Sequence, residues 1–198
     1  MKAPSHLLLP VVAASFVASI VAACGGARST GSSTPAPKSV VAPAGVTLVA
    51  ACTPTGAELC FNAVDDNCNG VFEEGCGLRT GPLQFMIAWS GSDANVDLAV
   101  TAPNGERTSK ENRSPSSGLR FEKDCPVETC HGQDYENVYL EEASILRGHY
   151  EVEIRLREAG ASSGPVTVRF GARVGAGTYG ADVVLTRSDD KKSFGFDL

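Results

Sequence analysis

The sequence is poor in the residues and motifs on which catalysis and nucleic-acid binding depend. Its 198 residues include three histidines and one tryptophan, and His131 and His149 belong to no GxSxG, HExxH or papain-like pattern. The formal net charge is −6, and Lys and Arg are not clustered, which argues against partners such as nucleic acid or an anionic membrane surface. We therefore expect a protein that is not an enzyme and does not bind nucleic acid.

A sustained helical period is absent as well, and period-two alternation of apolar and polar residues takes its place. Turn signals such as Pro103-Asn104-Gly105 separate the alternating segments. The sequence therefore predicts an all-β fold over residues 81–198, an antiparallel β-sandwich of about eight strands. The predicted strands lie within residues 83–89, 96–100, 119–121, 138–140, 150–156, 166–174, 179–185 and 194–198.

The N-terminus has the layout of a bacterial lipoprotein signal. Residues 1–23 contain Lys2, an apolar run and a small-residue end, and Cys24 follows at once. Cleavage before Cys24 would leave a thiol that can carry lipid, so we expect a membrane anchor on Cys24. Gly25, rather than Asp, follows the cysteine, and in this the chain resembles lipoproteins that move on to the outer membrane; the resemblance implies an outer-membrane protein that faces the periplasm or the outside. An uncleaved transmembrane anchor is the alternative, because the run is long enough to span.

Residues 24–47 are rich in Ser, Thr, Gly, Ala and Pro. Such a composition buries too little apolar area to fold by itself, which predicts a flexible, disordered tether. An irregular arm packed on a domain is the alternative.

The cysteines divide into one lipid site and three pairs. Exported chains keep disulfides, so the even number that remains after Cys24 predicts three bridges. Residues 48–80 form a Cys-rich segment with an even spacing of eight, which predicts a small disulfide-stapled knot whose pairing stays open. A local bridge is expected between the last two cysteines, with a redox or metal role beside His131 as the alternative. The six are Cys52, Cys60, Cys68, Cys76, Cys125 and Cys130.

The knot contains the first half of a calcium loop. Oxygen-bearing side chains stand at positions 1, 3 and 5, a glycine stands at position 6, and a carbonyl and one of two glutamates complete the shell. Position 12 is Cys76, so the segment is not a full EF-hand. We expect calcium as the cofactor, with copper and a metal-free acidic turn as alternatives. The predicted ligands are Asp65, Asn67, Asn69, Val71 (carbonyl), Glu73 and Glu74.

Residues 60–76 resemble the cysteine-bearing metal-binding motif of MopE type, which secreted bacterial proteins carry. The match runs through Asn62, Asp65, Asp66, Cys68, Gly70, Glu74, Gly75 and Cys76. In this chain Asn67 and Asn69 replace aspartates, which removes two charges and should weaken binding of a hard cation. The family is associated with copper, but the knot has neither His nor Met, so calcium remains our expectation.

Residues 83–185 resemble the bacterial DUF2135, or YfaP-like, domain and the pre-peptidase C-terminal β-sandwich modules. The resemblance implies an exported accessory β-module without enzymatic activity. Ala99 stands where this family often has His. The matching residues are Trp89, the segments 95–100 and 103–105, Asp124, and the segments 136–138 and 148–150.

Three acids of this domain, Asp93, Asp97 and Asp124, stand at predicted strand ends and loops. Either they bind a second cation between the sheets, or they accept backbone hydrogen bonds in turns.

Taken together, these features predict a lipid-anchored, non-enzymatic protein of the cell envelope, in which a calcium-binding knot precedes a β-sandwich that contacts an envelope protein or polysaccharide. A carbohydrate- or cell-wall-binding module is one alternative, for which Tyr139 is the free aromatic candidate, and a copper-binding surface protein is another.

Overall fold

The computed structural model describes residues 34–50, 52–90, 93–125, 130, 134–141, 144–161 and 164–198. These residues form ten β-strands and no helix. The predicted signal peptide, residues 24–33 of the predicted tether with Cys24, and His131 lie outside the described residues. The strands are β1 (Ser39–Val41), β2 (Leu83–Trp89), β3 (Asn95–Thr101), β4 (Arg107–Thr108), β5 (Arg120–Lys123), β6 (Tyr135–Leu140), β7 (His149–Glu158), β8 (Val166–Val174), β9 (Gly177–Leu185) and β10 (Lys191–Asp197).

The strands form two antiparallel sheets of five, which confirms the predicted sandwich. Sheet I has the order β1-β10-β7-β3-β4, and sheet II has the order β5-β6-β2-β8-β9. The count is ten rather than eight because β1 and β4 have three and two residues, too few to show an alternating pattern.

The core lies between the sheets and is built from every second residue of the long strands. In β7 the buried residues are Tyr150, Val152, Ile154 and Leu156, while the residues between them face outward. The centre of the core is aromatic, and the centroids of the stacked Phe170 and Phe194 rings are 4.3 Å apart. Burying each such side chain contributes about 1.5–3 kcal/mol, so the core accounts for most of the driving force for folding.

The predicted tether is partly ordered, which corrects the prediction for its C-terminal part. Ser39 and Val40 pair with Asp197 and Phe196 of β10, and Val40 packs against the core. Further on, Val49 exchanges two backbone hydrogen bonds with Gly180 of β9. An open strand edge offers unpaired N–H and C=O groups, and this segment pairs with part of them, at residues 195–197 of β10 and at Gly180 of β9.

The Cys-rich knot has an interleaved disulfide pairing and lies on sheet II. The bridges join Cys52 to Cys68 and Cys60 to Cys76, each over 16 residues, which settles the pairing that the sequence left open. A second apolar cluster joins Ala63 of the knot to the outer face of the sheet, and all seven residues of β2 are therefore buried. The sheet residues of that cluster are Met86, Ala88 and Tyr135.

Gly171 of β8 allows this close approach. A Cβ atom at this position would lie 2.5 Å from the Ala63 carbonyl oxygen and 2.9 Å from the Phe72 ring. Beside it, the Phe61 ring stacks on Tyr135 at 4.9 Å. The knot and the sandwich therefore share a packed interface, and the loop predicted to bind calcium is supported from below by the sheet.

Candidate functional site

Hydrogen bonds from the backbone to side chains shape the loop that begins at Asp65. The two Asp65 carboxylate oxygens accept from the N–H groups of Asn69 (3.1 Å) and Gly70 (2.8 Å). Asn67 Oδ1 accepts from the Asn69 N–H group (3.0 Å), and Asn69 Oδ1 accepts from the Val71 N–H group (2.8 Å). Short polar side chains that bond to nearby backbone groups stabilise tight turns, so the residues of the calcium pattern also fold the loop.

Asn67, Asn69 and Glu74, three of the predicted ligands, converge above this loop. The side-chain amides of Asn67 and Asn69 both donate to Glu74 Oε1. Glu74 Oε2 has no exposed surface and no hydrogen-bond partner within the part of the chain that the structure describes. A buried acceptor left in this state costs about 1–3 kcal/mol. The Oδ1 atoms of Asn67 and Asn69 accept from backbone N–H groups, so turning either amide over to present its oxygen to a cation would cost a hydrogen bond that folds the loop.

Glu73 is not available as a ligand, which corrects the prediction for this residue. Its side chain is fully buried, and its carboxylate accepts from the N–H groups of Phe61, Asn62 (2.8 Å) and Ala63 (2.8 Å). Burial raises the pKa of Glu73, and the three N–H donors offset part of that effect. Glu73 therefore holds the 61–63 turn, in which Phe61 and Ala63 adopt positive φ angles of 67° and 56°.

Glu58 lies near the acidic side chains of Asp65, Asp66 and Glu74, although it is not part of the calcium pattern in the sequence. One of its oxygens accepts from the Glu73 N–H group at 2.9 Å, and the other is buried without a partner among the described residues. Burial raises the pKa of Glu58, and the charges of Glu74, Asp65 and Asp66 raise it further. The Cys60–Cys76 bridge brings Glu58 to the loop from 15 residues away, and only the disulfide pairing would have revealed that.

Asp66 links residues 55–62 of the knot to the loop through hydrogen bonds. Its carboxylate accepts from Thr55 Oγ1 (3.0 Å), the Leu59 N–H group (3.1 Å) and Asn62 Nδ2 (2.9 Å). Burial alone would raise the pKa of Asp66, but these donors lower it below the ordinary value of an aspartate. Asp66 is thus a structural residue of the motif. Asp65 also holds the loop through its two backbone hydrogen bonds, whereas Glu74 has an oxygen without a partner among the described residues. Val71 remains predicted as a carbonyl ligand.

A second acidic group lies where β3 passes over β6. Carboxylate oxygens of Asp97, Asp124 and Glu136 come within 4.8 Å of one another, so the group contains Glu136 and not the predicted Asp93. Lys110 Nζ (2.9 Å) and Arg157 Nε (2.5 Å) already neutralise Asp97. Lys110 and Arg157 therefore compete with a metal ion for Asp97, whereas Asp124 Oδ1 is buried without a hydrogen-bond partner among the described residues, and the second cation stays a prediction.

Cys125 and Cys130 form the predicted local disulfide. Their sulfur atoms lie within 4.8 Å of a carboxylate oxygen of Asp134. Because the bridge consumes both thiols, neither is available as a thiolate ligand.

The chain matches no protein-family model, no curated protein and no solved structure. The resemblances to the MopE-type motif and to the DUF2135 domain therefore rest on the sequence motifs alone. Within the described residues no helix is long and apolar enough to cross a membrane.

Proposed function

We propose that this protein is a lipid-anchored, non-enzymatic component of the bacterial outer membrane. In this proposal the knot binds calcium and the β-sandwich serves as an interaction module for an envelope protein or polysaccharide. The observation that carries the calcium proposal is the convergence of Asn67, Asn69 and Glu74, with a Glu74 oxygen that is buried and has no partner in the described ranges. A cation at this point would relieve the cost of that oxygen.

The chemistry of the donors supports calcium over copper. The available groups are carboxylate and amide oxygens, which suit hard cations such as calcium. Copper prefers thiolate, thioether or imidazole ligands, and the four cysteines of the knot are paired in disulfides. With two of the loop ligands being neutral asparagines, we expect a dissociation constant of about 0.1–1 mM, in the range of extracellular calcium modules.

Calcium should raise the melting temperature of the full chain, purified in a non-ionic detergent. At about 10 mM calcium the proposed affinity gives about 1.4–2.7 kcal/mol of stabilisation, because the ion binds the folded loop and not the unfolded chain. Differential scanning calorimetry with calcium and then with EGTA measures this shift.

Two variants sharpen the calcium experiment. Glu74→Gln and Asp65→Asn should abolish the shift, whereas Glu141→Gln, an exposed acid whose side chain is 64% accessible, should leave it unchanged. Equal melting temperatures of the parent protein in calcium and in EGTA would refute the calcium site.

Lipid attachment should depend on Cys24. Metabolic labelling with a fatty-acid analogue should mark the parent protein, and Cys24→Ser should remove the label and release the chain from the membrane fraction, since the thiol is the acceptor for the lipid. Unchanged labelling of the Cys24→Ser variant would contradict the anchor.

A further inference from the structure

The carboxylate of Glu58 is hydrogen-bonded through only one of its two oxygens. Its Oε1 atom accepts from the Glu73 N–H group at 2.9 Å, which holds the side chain against the loop. Its Oε2 atom has no exposed surface and no hydrogen-bond partner among the described residues. Leaving a charged oxygen bare in this way costs more than leaving a neutral acceptor bare, so the position calls for a donor or a cation.

Glu74 Oε2 is in the same condition, and the two carboxylates act on each other. It is buried without a partner in the part of the chain that the structure describes. Burial is the largest effect that raises the pKa of Glu58, and the negative charge of Glu74 raises it further. Because the interaction of two charges weakens with distance, this effect places the two side chains in one region of the knot.

The knot has no side-chain cation of its own to place between these acids. Residues 52–78 contain no Lys, Arg or His. The acidic group of the sandwich differs in this respect, because Lys110 and Arg157 both pair with Asp97. A bound divalent cation would supply the positive charge that the knot lacks. The acids of residues 52–78 are Glu58, Asp65, Asp66, Glu73 and Glu74.

The calcium loop is also short of ligands. Position 12, where an EF-hand has its bidentate glutamate, is Cys76, and the Glu73 carboxylate is bound to the backbone of the 61–63 turn. If each of the remaining predicted ligands gave one oxygen, the shell would fall short of the roughly six to eight oxygens that calcium takes. Those ligands are Asp65, Asn67, Asn69, Val71 and Glu74.

The disulfides bring a further carboxylate to this place. The Cys60–Cys76 bridge joins the segment that carries Glu58 to the end of the loop, with the two Cα atoms 5.4 Å apart. The Cys52–Cys68 bridge holds the beginning of that segment against the middle of the loop. Glu58 is therefore positioned before an ion binds, and a ligand that is already in place lowers the ordering cost of binding.

We propose that Glu58 is a calcium ligand and takes the part of the absent position-12 glutamate, with its Oε2 atom directed at the ion together with that of Glu74. This inference rests on the proposed calcium function and adds to it a residue from outside the loop. Calcium would then join residues 52–60 to the loop, so that its binding stabilises the knot as a whole.

The calcium dependence of the melting temperature of the full chain, in a non-ionic detergent, gives the dissociation constant of each variant. Glu58→Gln should weaken calcium binding by about tenfold or more, because it replaces a charged ligand oxygen. Glu58→Asp keeps the charge but withdraws it by one methylene group, and should weaken binding by about threefold or more. This second variant distinguishes a direct ligand from a charge that attracts the ion from a distance.

Melting in EGTA separates a ligand from a residue that only supports the fold. Glu58→Gln should melt at or above the temperature of the parent protein, because the amide keeps Oε1 for the Glu73 N–H group and removes one of two repelling charges. A purely structural Glu58 would instead lose stability equally in calcium and in EGTA. Glu141→Gln, whose side chain is exposed, should match the parent in both solutions.

A Glu58→Gln variant with the calcium affinity of the parent overturns this proposal and leaves the calcium site itself in place. The proposal is also overturned if Glu58→Gln binds more weakly while Glu58→Asp binds as the parent does, since the charge would then act at a distance. A parent protein that melts at the same temperature in calcium and in EGTA overturns both proposals. Should Glu58→Gln fail to fold, the affinity of Glu58→Asp decides.

Discussion

Replacing Glu73 by alanine should lower the free energy of unfolding by about 3 kcal/mol, because three N–H groups lose their acceptor. Those donors belong to Phe61, Asn62 and Ala63, and the Glu73 side chain between them is fully buried. Phe61 and Ala63 also keep positive φ angles, which few residues other than glycine adopt without support. Chemical denaturation of the full chain measures the loss.

Glu73→Gln should be intermediate, with a loss of about 1–2 kcal/mol. Both oxygens of the carboxylate accept from the backbone, Oε2 from Phe61 and Oε1 from Asn62 and Ala63. Glutamine would place an amide nitrogen against one of these donors. Only a carboxylate satisfies the whole turn.

The neighbouring residue is the matched control. Glu74→Gln keeps the loop, because its contacts are the side-chain amides of Asn67 and Asn69, and should change the free energy of unfolding in EGTA by less than about 1 kcal/mol. The variants at the two positions should therefore have different effects: Glu73 is needed for the stability of the fold, and Glu74 is needed for the calcium-dependent shift in melting temperature. Equal losses at the two positions would show that the loop is not divided in this way.

The sequence alone could not have told these two glutamates apart. They are adjacent, and both fit the end of the calcium pattern. Which of them turns inward depends on the backbone at Glu73, whose φ angle is 60°, and on three donors that come from 10 to 12 residues earlier. Interactions of this kind follow from tertiary packing and leave no local signal.

The long strands were predictable for the opposite reason. In β7 one face meets the core and the other meets solvent, so burial leaves an alternating pattern in the sequence. In β2 the inner residues were equally clear, but the outward Met86 and Ala88 are buried as well, because the knot covers them. Their apolar character was the available sign that something packs on this face.

The short strand β1 shows what the pattern misses. Its segment has the composition of a linker, and only the open edge of β10 makes it a strand. Edge pairing of this kind depends on a neighbour that is distant in the chain, so composition gave the wrong answer for residues 39–41.

Glu136→Ala should lower the free energy of unfolding by about 2 kcal/mol. Glu136 is fully buried on β6, and its carboxylate accepts from the N–H groups of Leu98 (2.7 Å) and Cys125 (3.3 Å). Leu98 lies in the part of β3 that does not pair with β4, so its N–H group is at an open edge of sheet I. The Glu136 side chain, from sheet II, accepts a hydrogen bond from this N–H group. Alanine would leave both donors buried without this acceptor.

The free energy of unfolding of Glu136→Gln, compared with that of the parent, should depend on pH. Burial raises the pKa of Glu136 well above that of an ordinary glutamate, and the charges of Asp97 and Asp124 raise it further. The folded state therefore binds this proton more tightly than the unfolded chain does. The contribution to stability is complete below the unfolded-state pKa, about 4.3, and is lost as the pH rises through the folded-state pKa.

Glutamine carries no charge at any pH, so Glu136→Gln should gain stability relative to the parent as the pH rises. Urea denaturation at about pH 5 and about pH 8 compares the two proteins across this range. Glu151→Gln, at an exposed position of β7, should differ from the parent by less than about 0.5 kcal/mol at both values. The acids around Lys110 raise its pKa in spite of its burial. If the difference in the free energy of unfolding between Glu136→Gln and the parent does not change with pH, Lys110 already balances the charge of Glu136 in the folded state.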